Sequence, residues 1–172
     1  RPGIWAERAF APQADMEALL RREQLPLCSL EARRALRAFD VVGFSLQYEL
    51  CATGVLNMLD LGGIPLLAKD RNQHDPLVIG GGPLAYHPEP LADFFDAFLV
   101  GDGEELLPEF LESLRAQRLG GEYSRSEVLK RLSKIQGVYV PRHYRPADGP
   151  IRRRVITTLQ GAPFPNQPLV PL

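Results

Sequence analysis

The sequence predicts an α/β protein built as a three-layer, doubly wound parallel sheet with a C-terminal β-hairpin appended. Two observations predict the sheet. Leu77-Val78-Ile79 and Ala97-Phe98-Leu99-Val100 are short apolar runs, each closed by glycine: Gly80-Gly81-Gly82 after the first, Gly101-Asp102-Gly103 after the second. Such runs, bounded by turn residues and followed by helical patterns, read as strands buried on both faces. The third observation is the alternation of strand and helix patterns between residues 40 and 118, which calls for helices on both faces of a parallel sheet. Ligands in such sheets lie outside the carboxyl ends of the strands, so the glycine turns form the floor of any site.

The elements follow in order. Residues 4–10 read as an edge strand, with Ile4, Ala6, Arg8 and Phe10 on one face. Asp15 is placed to cap a helix from Met16 to about Glu23, and Pro26 breaks it. Ser29 is placed to cap a second short helix, 30–37. Val41 to Leu46 is the clearest buried strand before the glycine-closed runs. Leu50 to Leu61 carries the stripe Val55, Leu56, Leu59 and stops at Gly62-Gly63 with Pro65 beyond, a helix with a glycine C-cap. Residues 66–76 read as loop. A strand at 77–80, a proline-initiated helix around Pro88, and a strand at 96–100 come next. Residues 103–118 form a helix by the stripe Leu106, Leu107, Phe110, Leu111, Leu114, with Asp102, Glu104 and Glu105 suiting the positive end of its dipole. Ser124 and Glu127 stand at capping-box spacing before a helix to about Ile135, stopped by Gly137. Runs 138–144 and 151–157 flank Pro146 to Pro150 and read as a hairpin. The proline-rich 161–172 reads as a linker. The division expected is therefore an α/β domain over 1–137, a hairpin extension over 138–160 and a linker over 161–172.

Size and composition bound the rest. A chain of 172 residues with 45% hydrophobic and 24% charged residues is ordinary for one globular domain. A net charge of −1 gives no global attraction to nucleic acid or to an anionic membrane. Cys28 and Cys51 have neither metal-ligand spacing nor a disulfide framework, which points to a reducing cytoplasm. No apolar run approaches the roughly 18 residues a membrane span needs. The start at Arg-Pro-Gly leads to the expectation of a fragment of a longer polypeptide.

The chemistry is sparse. No Gly-rich run ends in Gly-Lys-Ser/Thr, and Pro83 after Gly80-Gly81-Gly82 removes an N–H that a phosphate would use. The carboxylates at 102, 104 and 105 would repel a pyrophosphate at that helix start. No aspartate ends a central strand as a phospho-receiver would require. His74, His87 and His143 are scattered and read as surface or structural residues, and the two cysteines read as small buried side chains. Ser45 ends a strand at the sheet's carboxyl edge, followed by Gln47, Tyr48 and Glu49: pocket lining or a solvated turn. A hydrolase using Ser45 or Cys51 lacks a nearby general base. Arg142, His143, Tyr144, Arg145, Arg152, Arg153 and Arg154 concentrate positive charge on the hairpin, which suits RNA or an acidic partner, or else a solvated face.

Four stretches in order carry a resemblance: Val42-Gly43-Phe44-Ser45-Leu46; Leu77 to Pro83; Pro88-Glu89-Pro90; and Asp96 through Gly101-Asp102-Gly103-Glu104-Glu105. The pattern resembles the amino-terminal, cobalamin-binding-type domain of radical SAM proteins, with Asp102 where glutamate is usual. ERAFAPQADMEALL and GFSLQYELCATGVLNMLDLGGIPL are similar to one branch of that family. The resemblance covers most of residues 6–160. It implies a Rossmann- or flavodoxin-like domain that precedes a barrel, and it is the barrel that carries Cys-x-x-x-Cys-x-x-Cys, the iron–sulfur cluster and S-adenosylmethionine. That motif is absent from this sequence, so the chain is expected to have no catalytic residue and no metal of its own.

For cobalamin, the resemblance implies a contact set of Ser45, Leu46, Gln47, Gly80, Gly81, Gly82, Gly101 and Gly103. Ser45 matches a serine that approaches the cofactor's nucleotide tail, and Gly80-Gly81 matches the glycine pair along which the tail slides. No Asp-x-His-x-x-Gly occurs, so no histidine is expected below the cobalt. Two roles stay open: binding a cobalamin-like ligand, or covering the barrel with an empty groove. The rival is a cofactor-free module that grips RNA or a protein through the arginine-rich hairpin. In the family the first, central strand lies upstream of this chain's start. Residues 4–10 are therefore expected to pair directly with strand 41–46, or that edge to form a dimer contact.

Overall fold

The computed structural model describes residues 3–120, 124–160 and 162. Its centre is a four-stranded sheet in the order β1 (Val41–Ser45), β2 (Leu77–Gly81), β3 (Ala97–Leu99), β4 (Val138–Tyr139). The first three strands are parallel, with Ser45 beside Gly81 and Gly81 beside Leu99; β4 runs antiparallel to β3, with Leu99 opposite Val138. The order runs in one direction, so no reversal point lies among the described strands.

Alternation of side chains divides the core in two. Val42, Val78, Phe98 and Tyr139 face one side, packing with Val55 and Leu59 of helix α2 (Cys51–Leu61) and with Leu84, Ala85 and Leu91. Leu77, Ile79, Ala97, Leu99 and Val138 face the other, packing with Leu106, Phe110 and Leu114 of helix α3 (Gly103–Leu119) and with Val128, Leu129 and Leu132 of helix α4 (Arg125–Leu132). Each fully buried Leu or Phe contributes on the order of 2 kcal/mol from removing apolar area from water. The layers are thus helix, sheet, helix, as the strand–helix alternation requires. Ser124 caps α4, its hydroxyl accepting the Glu127 N–H at 3.5 Å.

Four expected elements differ. Residues 4–13 form no strand; Trp5 and Phe10 are exposed, and the Arg8 N–H and guanidinium bond the Glu31 carboxylate instead. The helix expected at 30–37 is replaced by a loop and a 3₁₀ turn, Leu36–Ala38. Ser29 shapes that loop, its Oγ bonding both the N–H and the carbonyl of Arg34, while Arg33 takes φ 53°. Between β2 and β3 two 3₁₀ turns, Pro83–Tyr86 and Glu89–Phe94, stand in place of the α-helix. Pro83, Pro88 and Pro90 lack the N–H groups that longer α-helical ladders need. Finally there is no C-terminal hairpin among the described residues: 138–139 joins the sheet as β4, and the later run touches it only through a parallel bridge from Arg154 to Gly101. Helix α1 (Ala14–Arg22) has Gln13 rather than Asp15 at its N-cap and leans on α2, with Arg21 bonding Asp60 and Asn57. No helix among the described residues is long and apolar enough to cross a membrane. The linker at 161–172 lies outside the described residues except for Ala162.

Candidate functional site

The carboxyl rim, where the glycine turns meet, is closed by the chain itself. Leu46 follows β1 and is fully buried. Its N–H donates to the Gly81 carbonyl at 2.7 Å and its carbonyl accepts from Leu84 N–H at 3.0 Å. Its side chain lies where Gly80 lacks one: a Cβ on Gly80 would stand 2.6 Å from Leu46 Cδ1 and 3.1 Å from both Phe95 and Phe98. Gly82 takes φ 104°, and a Cβ there would meet the Leu46 carbonyl oxygen at 2.8 Å. Both glycines are therefore required by Leu46 and its aromatic neighbours. Gly81 has only ordinary contacts to spare and is partly exposed.

The third strand's turn is closed in a different way. Gly101 takes φ 113°, and a Cβ on it would collide with the Arg154 backbone. Arg154 N–H donates to the Val100 carbonyl at 2.9 Å, and its carbonyl accepts from Asp102 N–H at 3.0 Å. The Asp102 carboxylate accepts Ile156 N–H at 2.9 Å. Arg154 also pairs with Glu105 and Glu109 on α3. Gly103 opens α3 and has free space around it.

Of the eight residues singled out from the sequence, the fold brings Leu46, Gly80 and Gly82 into one packed cluster, with Ser45 beside Gly81 across the ladder. Ser45 and Gln47 are exposed, and Gly101 and Gly103 sit apart under and beside the Arg154 run. Exposed on the turns after β1 and β2 are Tyr48 (57%), Leu50 (80%) and Tyr86 (53%). No group of three or more His, Cys, Asp or Glu among the described residues is arranged to hold a metal. His143 faces the Ser126 carbonyl, and both cysteines are free thiols.

The strongest electrostatic cluster is at the opposite, amino edge. Asp96, just before β3, is buried and accepts from Arg71 Nη1 at 2.9 Å, from Arg125 Nη2 at 2.8 Å and from Val78 N–H at 2.8 Å. Arg71 also donates to the carbonyls of Pro65, Leu66 and Phe94, and Arg125 to those of Asn72, Asp75 and Pro76. Burial pushes the Arg71 guanidinium below its ordinary value, opposed by the Asp96 carboxylate. Burial also raises the Tyr139 phenol. Sequence reasoning missed both arginines. One signal was available: Arg125 is a cation at the first position of a helix, where the dipole opposes it, so it had to have a partner elsewhere.

A family model described as radical SAM proteins, N-terminal, matches residues 1–141. The chain belongs to this family. No curated protein and no solved structure matches it. For a radical SAM N-terminal domain, the order of motifs read along the sequence acquires physical content. The Asp96 motif residue ties two arginines and β2 together, Gly80 and Gly82 admit Leu46, and Gly101 admits the run after β4.

Proposed function

We propose that this domain is the non-catalytic cover of a radical SAM barrel, docking on it through the carboxyl rim and using no cobalamin of its own. The observation that carries the reading is Leu46. Its buried side chain fills the space beside Gly80, where the resemblance would lay a cofactor's tail. The Arg154 run supports it by sitting on the second glycine turn. What the rim leaves exposed is apolar and aromatic, Tyr48, Leu50 and Tyr86, and suits a protein surface better than solvent. In this reading S-adenosylmethionine and the iron–sulfur cluster belong to the barrel, whose Cys-x-x-x-Cys-x-x-Cys does not occur in this sequence. The RNA reading gains no support, since Arg154 is already paired with Glu105 and Glu109 and no hairpin among the described residues gathers the other arginines.

Two measurements test this. Titration with hydroxocobalamin is expected to leave the visible spectrum of the cofactor unchanged; stoichiometric binding overturns the reading. Hydroxyl-radical footprinting should show Tyr48, Leu50 and Tyr86 oxidised more slowly in the full-length parent than in the 172-residue chain. Equal rates would remove the docking surface from the rim.

A further inference from the structure

The amino edge of the sheet carries a cavity that docking through the carboxyl rim leaves unused. β4 runs antiparallel to β3, so its far end carries Val140 and Pro141 toward the amino end of β3, where Asp96 sits. Two 3₁₀ turns, Ala68–Asp70 and Glu89–Phe94, complete the walls. The cavity they enclose is about 420 Å³, within the roughly 300–1,000 Å³ of small-molecule sites. Its polar lining converges from separate elements: Lys69 from the first turn, Asp93 from the second, Tyr139 from β4 and Arg142 from the turn beyond it. Half-buried Leu67, Ala92 and Pro141 add apolar wall.

Three features define the charge this cavity suits. Lys69 and Arg142 are exposed cations, and neither makes an ion pair among the described residues. Just behind the wall, Asp96 is a single carboxylate between two buried guanidiniums, Arg71 and Arg125. The next buried carboxylate, Asp75, pairs with a third arginine, Arg37, at 2.8 Å. One positive charge therefore stays in excess inside the protein, where it is screened less than a surface charge. The third feature is Tyr139. It is 7% exposed, with its ring held between Phe98 and Tyr144, yet its hydroxyl bonds no other described residue. Burial pushes the phenol above its ordinary value, so it keeps its proton and is free to donate. Asp93, also unpaired among the described residues, sets the limit at the mouth: one negative charge is attracted and a second is opposed.

We infer that this cavity binds a small molecule bearing a single carboxylate on an apolar body. The carboxylate takes Lys69, Arg142 and the Tyr139 hydroxyl, and the body lies along Leu67, Ala92 and Pro141. The site is at the opposite edge of the sheet from the rim and does not rest on the docking reading.

The test is titration of the purified protein with phenylacetate, followed at backbone amides by NMR. Saturable shifts are expected at Lys69, Tyr139 and Arg142, with a Kd of about 5 mM or tighter, as for a well-seated ligand of about ten heavy atoms. Acetate lacks the body and 2-phenylethanol lacks the charge, so each should bind at least about tenfold more weakly. Lys69→Ala combined with Arg142→Ala should weaken phenylacetate about fivefold to thirtyfold. Tyr139→Phe, which keeps the ring, should weaken it about threefold to tenfold. Absence of saturable shifts at the three residues overturns the inference. Acetate binding as tightly as phenylacetate means an adventitious ion only, and 2-phenylethanol binding as tightly means an apolar crevice; both overturn it. So does unchanged affinity in the Lys69, Arg142 double variant. None of these readouts involves Tyr48, Leu50 or Tyr86, so failure here and failure of docking are told apart.

Discussion

Asp96→Asn is the most informative single change in the core. The substitution keeps the shape and an acceptor for the Val78 N–H but removes the one carboxylate that both Arg71 and Arg125 face. Two guanidiniums are then left inside the protein, with side chains 0% and 6% exposed, and amide hydrogens replace one acceptor oxygen. Removing one partner of a buried pair costs about 3–5 kcal/mol, a large part of the roughly 5–15 kcal/mol that holds a domain folded. With a urea slope near 2 kcal/mol/M, the midpoint of unfolding should fall by about 1.5–2.5 M. A companion variant separates charge from carbonyl satisfaction: Arg71→Met, Asp96→Leu and Arg125→Met together. Isolated buried ion clusters often tolerate apolar replacement. Here the arginines also satisfy the carbonyls of Pro65, Leu66, Asn72, Asp75, Pro76 and Phe94, each costly to bury unpaired. The triple variant should therefore be no more stable than Asp96→Asn. A shift below about 0.5 M for Asp96→Asn, or a triple variant at the wild-type midpoint, would refute the account.

Three further outcomes follow from the same geometry. Gly80→Ala should destabilise by about 1–3 kcal/mol through overpacking against Leu46, Phe95 and Phe98, and Leu46→Ala by about 2–5 kcal/mol. In urea melts the double variant should be less destabilised than the sum, and strict additivity would mean the two do not share that space. Gly101→Ala forces a side chain into the Arg154 backbone at φ 113°, so trypsin should cut after Arg152 and Arg153 faster and the urea midpoint should fall. Hydrogen bonds from the Ser29 hydroxyl, Asn57 amide and Arg8 backbone lower the pKa values of Glu7, Glu17 and Glu31 respectively below 4.5. The unfolded chain then binds more protons, so their stabilisation is complete above about pH 4.5 and fades as pH falls through the lowered values. Glu→Gln at all three should flatten the acid limb of a urea-midpoint profile.

What could be read from the sequence was whatever local pattern decides. Leu77 to Gly81 and Ala97 to Leu99 are continuous apolar runs ended by glycine, and nothing competes with burying them on both faces. α3 and α4 announce themselves by their apolar stripes, and Ser124 by its spacing to Glu127. Apart from the proline-rich turns between β2 and β3, the misses come from contacts distant in sequence that divert the backbone. Glu31 takes the Arg8 N–H from a would-be strand, and Ser29 folds back on Arg34 where a helix start was expected. Arg154 docks on Gly101 instead of closing a hairpin. Each is a contact between residues 5 to 53 apart, with no periodic trace.

The glycine turns show why the site itself was harder to read than the fold. A glycine after a strand records only that a side chain there is forbidden, not what forbids it. At Gly80 and Gly82 the obstacle is Leu46, and at Gly101 it is Arg154. The amino edge is locked by Asp96 with its two arginines, and the carboxyl turns are filled from within. Among the described residues, Tyr48, Leu50 and Tyr86 stay exposed on the rim above those turns. In the proposed reading, a domain whose glycine turns are filled in this way acts through what it docks against.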